Sequence, residues 1–495
     1  MEKVLIGWAE ESLVPEKKVS LAGQFYERIS DHVETEISAT AMAIEGGDQK
    51  AIIISCDLTN ISADLGKMIR ERFAKLTDEI DPKYIIFGAT HTHTSIKYGS
   101  TTGGFSPAVK ILNEFLPADK QYTPLVEVDE TVLGPVEAME FISDRVALAA
   151  KKAWDNRKPA MYANEFGRAA IGFNRRVCYN DGSAQMWGDT NTGAFTALEG
   201  GNDSGIELLY IFDENKKLTG IVANIACPSQ ILEQRSFISA DYWGEAKKLI
   251  REKLGDDIYV LGMCGAGGDQ CPRDLIRWID PETPIDDPNV SRPNLLPRKA
   301  DPSMYDLSGC RLAGKRIANE ILSVYEEITE IKEDIPFTHK AMVFDLPLRK
   351  ATISDYKTAV REIEYYVEKN KNQEIFNFKD MAAMHVYAGT INRYRQQQTK
   401  EIVPTEVHII RFGDIAIATN PFELFLDFGN YMKARSKAHQ TFVMQLTCGA
   451  LGYLPTEKAE NGGHYSAYIS SGNVGHEGGD LLSRRTVTEI NEMFE

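Results

Sequence analysis

Basic residues are scarce in this sequence. Its 495 residues hold 55 Lys plus Arg against 72 Asp plus Glu, a formal net charge of −17. That deficit argues against nucleic acid and anionic membrane surfaces as partners, since both need a basic footprint. Long apolar runs are missing too, and no stretch approaches the roughly 18 apolar residues of a spanning helix. The N-terminal MEKVLIGWAEESLVPEKK has an apolar run too short, and too soon interrupted by Glu10 and Glu11, for a signal-peptide core. Cysteine is sparse and odd in number: seven residues, so at least one is unpaired. Cys56, Cys227 and Cys264 lie in apolar runs and read as buried thiols. A cytoplasmic location is the expectation. Internal repeats and low-complexity tracts are absent as well.

What is present is near the globular average, with 43% hydrophobic and 26% charged residues, enough for a sizeable core. The rhythm is strand, loop, helix, strand. Short strands are expected at Ala51–Ser55, Tyr84–Phe87, Ile258–Met263 and Ile415–Ala418, with a hairpin from Leu208–Phe212 to Leu218–Ala226. Helical spacing marks Arg70–Leu76, Glu137–Trp154 and a segment through Ala246, Leu249, Ile250 and Leu254 that Gly255 closes. Residues 97–135 and 275–307 are long and turn-rich, the second carrying Pro281, Pro284, Pro288, Pro293, Pro297 and Pro302. Each follows a chemically suggestive motif, so both are expected to wall a site. A weak boundary lies near the charged stretch Glu326–Asp334.

Four motifs could carry chemistry. Thr90-His91-Thr92-His93-Thr94 ends an apolar strand, where residues i and i+2 share a face, so His91 and His93 can converge on one metal or substrate group. They could equally be hydrogen-bonded polar residues at a strand end. Gly265-Ala266-Gly267-Gly268-Asp269-Gln270-Cys271-Pro272-Arg273 lacks the Gly-Lys-Ser/Thr ending of a phosphate loop and is no Gly-x-Ser-x-Gly elbow. It is either a turn presenting Asp269, Cys271 and Arg273 or a structural turn with a buried thiol. Glu423 sits among aromatics in Asn420-Pro421-Phe422-Glu423-Leu424-Phe425, a costly place for a carboxylate unless it is paired or metal-bound. Tyr453, in Gly452-Tyr453-Leu454-Pro455-Thr456, taken alone reads as a core aromatic.

In this order, and together with Gly23 in SLAGQF, Asp57 and Ile238-Ser239-Ala240-Asp241, these motifs resemble the N-terminal catalytic domain of the neutral/alkaline ceramidase family. The resemblance implies an α/β fold built on a large mixed sheet, filling residues 1–495 as one domain with two lobes, 1–330 and 331–495. It implies a Zn2+ site with His91, Glu423 and Tyr453 as ligands, and catalytic roles for His93, Asp269 and Cys271. Asn174, Arg175, Arg176, Gln270 and Arg273 become candidate substrate-binding residues, the Arg pair suiting a carboxylate, phosphate or sugar acid unless it is simply solvated. The chain departs from the family in three places. Ala226-Cys227-Pro228-Ser229-Gln230 lacks the family's other histidine ligand, Cys271 replaces its catalytic serine, and neither a C-terminal β-sandwich nor a secretion signal is expected. With fewer imidazoles, another divalent metal or none is compatible with the set.

The leading expectation is a metal-assisted hydrolase acting on a small polar amide or carbohydrate-derived compound, not on membrane ceramide. Its partners would be that small molecule and, at most, further copies of the chain in a homo-oligomer. An alternative keeps the fold for a glycosidase or lyase using Asp57, Asp269 or Glu423 as acid and base. A third reading is a non-catalytic binding protein. Cys271 is either a nucleophile or, the reading preferred here, a small pocket-lining residue.

Overall fold

The computed structural model describes residues 3–24, 26–99, 107–122, 129–276 and 306–495. Its larger sheet has eight strands in the order Tyr259–Cys264, Leu218–Ile225, Gly205–Asp213, Lys158–Arg168, Leu5–Ser12, Ser38–Gly46, Gln49–Cys56 and Ile85–Ala89. Most neighbours are antiparallel, but both outermost pairs are parallel. A second sheet orders Phe337–Pro347, Ile402–Phe412, Ile415–Thr419 and Gln440–Met444, again ending on a parallel pair.

Alternation along the strands explains how these layers stack. Ile52 and Ile54 face a core shared with the helices Ala63–Phe73 and Pro135–Asp155, whereas Ile53 faces the second sheet. Leu208 and Tyr210 likewise face helices, and Leu209 and Ile211 face Ile410, Phe412 and Ile417. The second sheet turns Ala416 and Ala418 to its own helical cover, Leu426–Arg435 and His476–Met493. Strands buried on both faces read as unbroken apolar runs, which is how they look in the sequence.

Expected and observed elements agree in kind and differ at instructive places. The Gly205–Asp213/Leu218–Ile225 hairpin forms, and Gly255 closes the Tyr242–Leu254 helix at φ 110°. The helix expected at Arg70–Leu76 begins earlier, at Ala63, because Ser62 caps it by accepting from Leu65 N. Within the expected wall 97–135 lies a helix, Pro107–Phe115, whose Ile111 and Leu112 pack on Ile363 and Met384. Residues 100–106, 123–128 and 277–305 of the two expected walls lie outside the described residues.

Candidate functional site

Chain segments leaving the carboxyl ends of the parallel strand pairs meet at one place, where open α/β sheets commonly bind ligands. His91 follows Ile85–Ala89, the glycine-rich turn follows Tyr259–Cys264, and Glu423 follows Ile415–Thr419. Tyr453 arrives after Gln440–Met444, in a two-residue strand paired with Glu423–Leu424 so that Tyr453 stands beside Glu423. Buried Gln445 ties the pieces together: its side-chain oxygen accepts from Gly267 N (3.1 Å) and Leu424 N (2.9 Å). Gly268 is needed for close approach, since a Cβ there would lie 2.3 Å from Glu423 O.

The two histidines do converge, but not by strand alternation. The strand ends at Ala89, and His91 takes φ 67°, a left-handed conformation. Their rings then meet edge-on with Nε2 atoms 3.4 Å apart. His91 Nδ1 lies 2.5 Å from Thr59 O, which can only accept, so Nδ1 carries the hydrogen and Nε2 a lone pair. That lone pair faces Glu423 Oε2 at 3.5 Å. Burial opposes a charged Glu423, yet His91, Tyr453 and Arg175 hold its pKa below the ordinary range. The Tyr453 hydroxyl lies 2.8 Å from that of Tyr465 and 3.4 Å from Arg175 Nη2.

Glu233 has no sequence signal and enters only with the structure. Its Oε2 lies 3.3 Å from His93 Nδ1, and its Oε1 lies 3.5 Å from Arg273. Burial would raise its pKa, but His93 and Arg273 bring it down to about 2, so it is ionised. His93, mainly through burial, titrates below its ordinary value and is neutral at pH 7. Asp241 explains the Ile238–Asp241 motif: its carboxylate accepts from Tyr242 N and Leu232 N, each at 2.8 Å, which fixes the turn leading into Glu233. Gly23 packs on the His93 ring, where a Cβ would come within 2.5 Å. Only an eye for buried capping residues could have found this support.

Several sequence candidates make contacts that hold the surrounding chain together. Arg176 is fully engaged by Glu199, Ser466 and the carbonyls of Ala459, Gly463 and Tyr465, which leaves no donor for an anion. Asp269 accepts from Asn174 Nδ2 (2.8 Å) and from Leu426 N (2.9 Å), capping a helix whose own N-cap, Phe425, has no side-chain bond. Burial lifts its pKa to about 6, but both oxygens are occupied. Asn174 Oδ1 accepts from Arg176 N, and Gln270 Nε2 donates to Gly201 O. Asp57, a carboxylate in the glycosidase reading, is paired with Lys247 at 2.9 Å and holds Ser38 and Thr90. Cys271 is buried, with its thiol pushed up to about 12 by that burial, so it is protonated rather than a ready nucleophile. Arg175 remains beside Glu423 and Tyr453. It is buried, donates to Gly268 O (3.0 Å) and stacks near Trp187, with no carboxylate in ion-pair reach among the described residues and its Nε unpartnered. Arg273 lies over the same Trp187 ring, 4.8 Å from its centre.

No protein-family model matches this sequence, and no curated protein matches it. Two ceramidases are among the solved structures that resemble it throughout. The neutral ceramidase from Pseudomonas aeruginosa superposes with a TM-score of 0.66 at 14% identity, over 99% of this chain and 74% of that one. A ceramidase complexed with C2 gives 0.65 at 13%, over 99% and 75%. At such identity the likeness is one of fold, and the mixed α/β architecture expected from the sequence is the one these structures share.

Proposed function

We propose that this chain is a metal-assisted hydrolase acting on a small polar amide, or a carbohydrate-derived compound, that carries an anionic group. The observation behind the reading is a cluster of metal-ligating atoms around one bare nitrogen. His91 Nε2 faces Glu423 Oε2 and His93 Nε2 at 3.5 and 3.4 Å, while its own hydrogen is committed to Thr59. A divalent cation resolves such an arrangement, and these spacings suit donors held about 2.0–2.2 Å from one ion. His91, Glu423 and Tyr453 would hold it; when bound, it supplies carbonyl polarisation and a water of lowered pKa.

The remaining work falls to side chains. With Glu233 beside its Nδ1, neutral His93 offers Nε2 as a base. It takes a proton from the attacking water as the C–O bond forms, then returns it to the leaving nitrogen as the C–N bond breaks. Arg175 stays charged, since a guanidinium keeps its proton even when buried and the Glu423 carboxylate nearby favours the charged form. A buried guanidinium without a carboxylate partner favours an anionic substrate over a lipid tail. The test is metal analysis of the purified protein, then turnover of short N-acyl compounds bearing a carboxylate, of glycosides and of long-chain ceramide, each with and without chelator. Chelator-sensitive cleavage of the short anionic amides is expected. Faster turnover of ceramide would sink the substrate class, and chelator-insensitive glycoside cleavage would sink the reaction.

A further inference from the structure

Beside the Ile85–Ala89 strand lies a second group of metal-ligating side chains that the candidate site does not use. Glu406 and His408 are two residues apart on the Ile402–Phe412 strand and so share a face. Cys448 joins them from the turn after Gln440–Met444, held at φ 55° by donating its N–H to Phe87 O. One donor atom from each lies within 4.8 Å of the others. His408 Nε2 is 2.8 Å from Glu406 Oε1 and 3.9 Å from Cys448 Sγ.

The hydrogen positions follow from a carbonyl at the far end. His339 Nδ1 lies 2.9 Å from Lys50 O, so it must donate, and His339 Nε2 is then an acceptor. His408 Nδ1, 2.9 Å from that atom, supplies the hydrogen. His408 Nε2 is left as a bare lone pair aimed at a carboxylate. Arg70 Nη2 reaches Glu406 Oε1 and, at 3.7 Å, Cys448 Sγ from the side, and a shared proton or a metal ion between nitrogen and carboxylate relieves the repulsion that remains. The thiol at the third corner favours the ion, because its other contacts are long, 3.7 Å to Arg70 Nη2 and 3.9 Å to Ile85 O, and a thiophilic ion uses it directly. Around an ion bound at about 2.0–2.3 Å, tetrahedral donors stand roughly 3.3–3.8 Å apart, so binding opens the 2.8 Å pair and draws in the 3.9 Å one. The surroundings also suit a metal: His339 orients the ligand imidazole, and Arg70 holds Glu406 Oε2 at 3.0 Å.

We propose that Glu406, His408 and Cys448 form a second divalent-cation site, matched to Zn2+, that braces the turn leading to Tyr453. Binding sends the Cys448 thiol proton to solvent and exchanges the Arg70 Nη2 bond at Glu406 Oε1 for the ion, while Nη1 keeps Oε2. The partly exposed Glu406 and Cys448 give the ion its way in. Co2+ added to the metal-stripped full chain tests this, since a thiolate-to-cobalt absorption band reports a sulfur ligand. The band is expected at one equivalent, lost in Cys448→Ser and kept in Cys271→Ser and His91→Ala. His339→Ala should weaken cobalt binding roughly 10–100-fold. Absence of the band in the wild type, its survival in Cys448→Ser or its loss in Cys271→Ser would overturn the site and leave a shared proton only. Should Cys448→Ser unfold, alkylation decides on the native chain: equimolar Zn2+ must slow modification of Cys448 by iodoacetamide, and unchanged labelling refutes the site.

Discussion

Individual residues divide into groups that would meet the substrate and groups that hold them. His91→Ala and Glu423→Gln should each cut turnover by roughly 10²–10⁴-fold, whereas Cys271→Ser should keep most of it, because the thiol is buried and protonated. Steady-state rates of the three variants on one substrate check this, and a dead Cys271→Ser would make the chain a thiol or alcohol enzyme instead. Glu233 adds a pH signature. Its pKa falls from an ordinary 4.5 to about 2 on folding, so its stabilisation is fully present above 4.5, shrinks below that and is gone below about 2. Asp241 has the opposite sign: burial raises it from 3.8 to about 7, so stability is lost as the pH climbs through that window. Denaturant melts across pH should show a maximum between these limbs. Glu233→Gln should flatten the acid limb, worth roughly 3 kcal/mol, and Asp241→Asn the neutral one; limbs unchanged in the variants would show that other groups set the profile.

Among the elements, the glycine-rich turn is the tightest joint. Gly268→Ala would press a methyl group on the Glu423 carbonyl, 2.3 Å away, and backbone on both sides must shift. Overpacking of this kind costs about 1–3 kcal/mol, and here it displaces Glu423 as well. Reduced metal affinity together with a lower melting point is expected; a variant with native metal binding would mean that the turn yields elsewhere. The sequence made this turn, the THTH segment and the apolar strands legible, because tight turns need glycine and doubly buried strands read as apolar runs. It did not reveal Glu233 or Gln445, which lie in stretches with no pattern and act through partners such as His93 and Gly267, and it marked Asp241 without showing that it holds Leu232. Nor did it reveal that the His91–His93 pairing depends on a positive φ rather than on strand geometry.

For the whole molecule, the open matter is whether residues 1–330 and 331–495 are separable lobes. Their sheets share one core, in which Ile53, Leu209, Val222 and Met263 from the first interlock with Phe412, Ile417, Phe442 and Met444 from the second. Backbone bonds cross the same boundary: Gln445 N donates to Cys264 O (3.0 Å) and Cys448 N to Phe87 O (2.9 Å). The second sheet alone would expose that face, a contiguous apolar patch that favours aggregation over folding. The candidate site spans the boundary too, taking His91 from one sheet and Glu423 with Tyr453 from the other. Chains of this length commonly unfold in stages, but a shared core and backbone bonds across the boundary couple the stages here. Calorimetry of the full chain should show one transition, and a ligand bound at the site should shift all of it upward by the same mass-action relation. Residues 331–495 expressed alone should be insoluble or unstructured. Two resolved transitions, with only one moved by the ligand, would establish independent lobes and confine the coupling to the site.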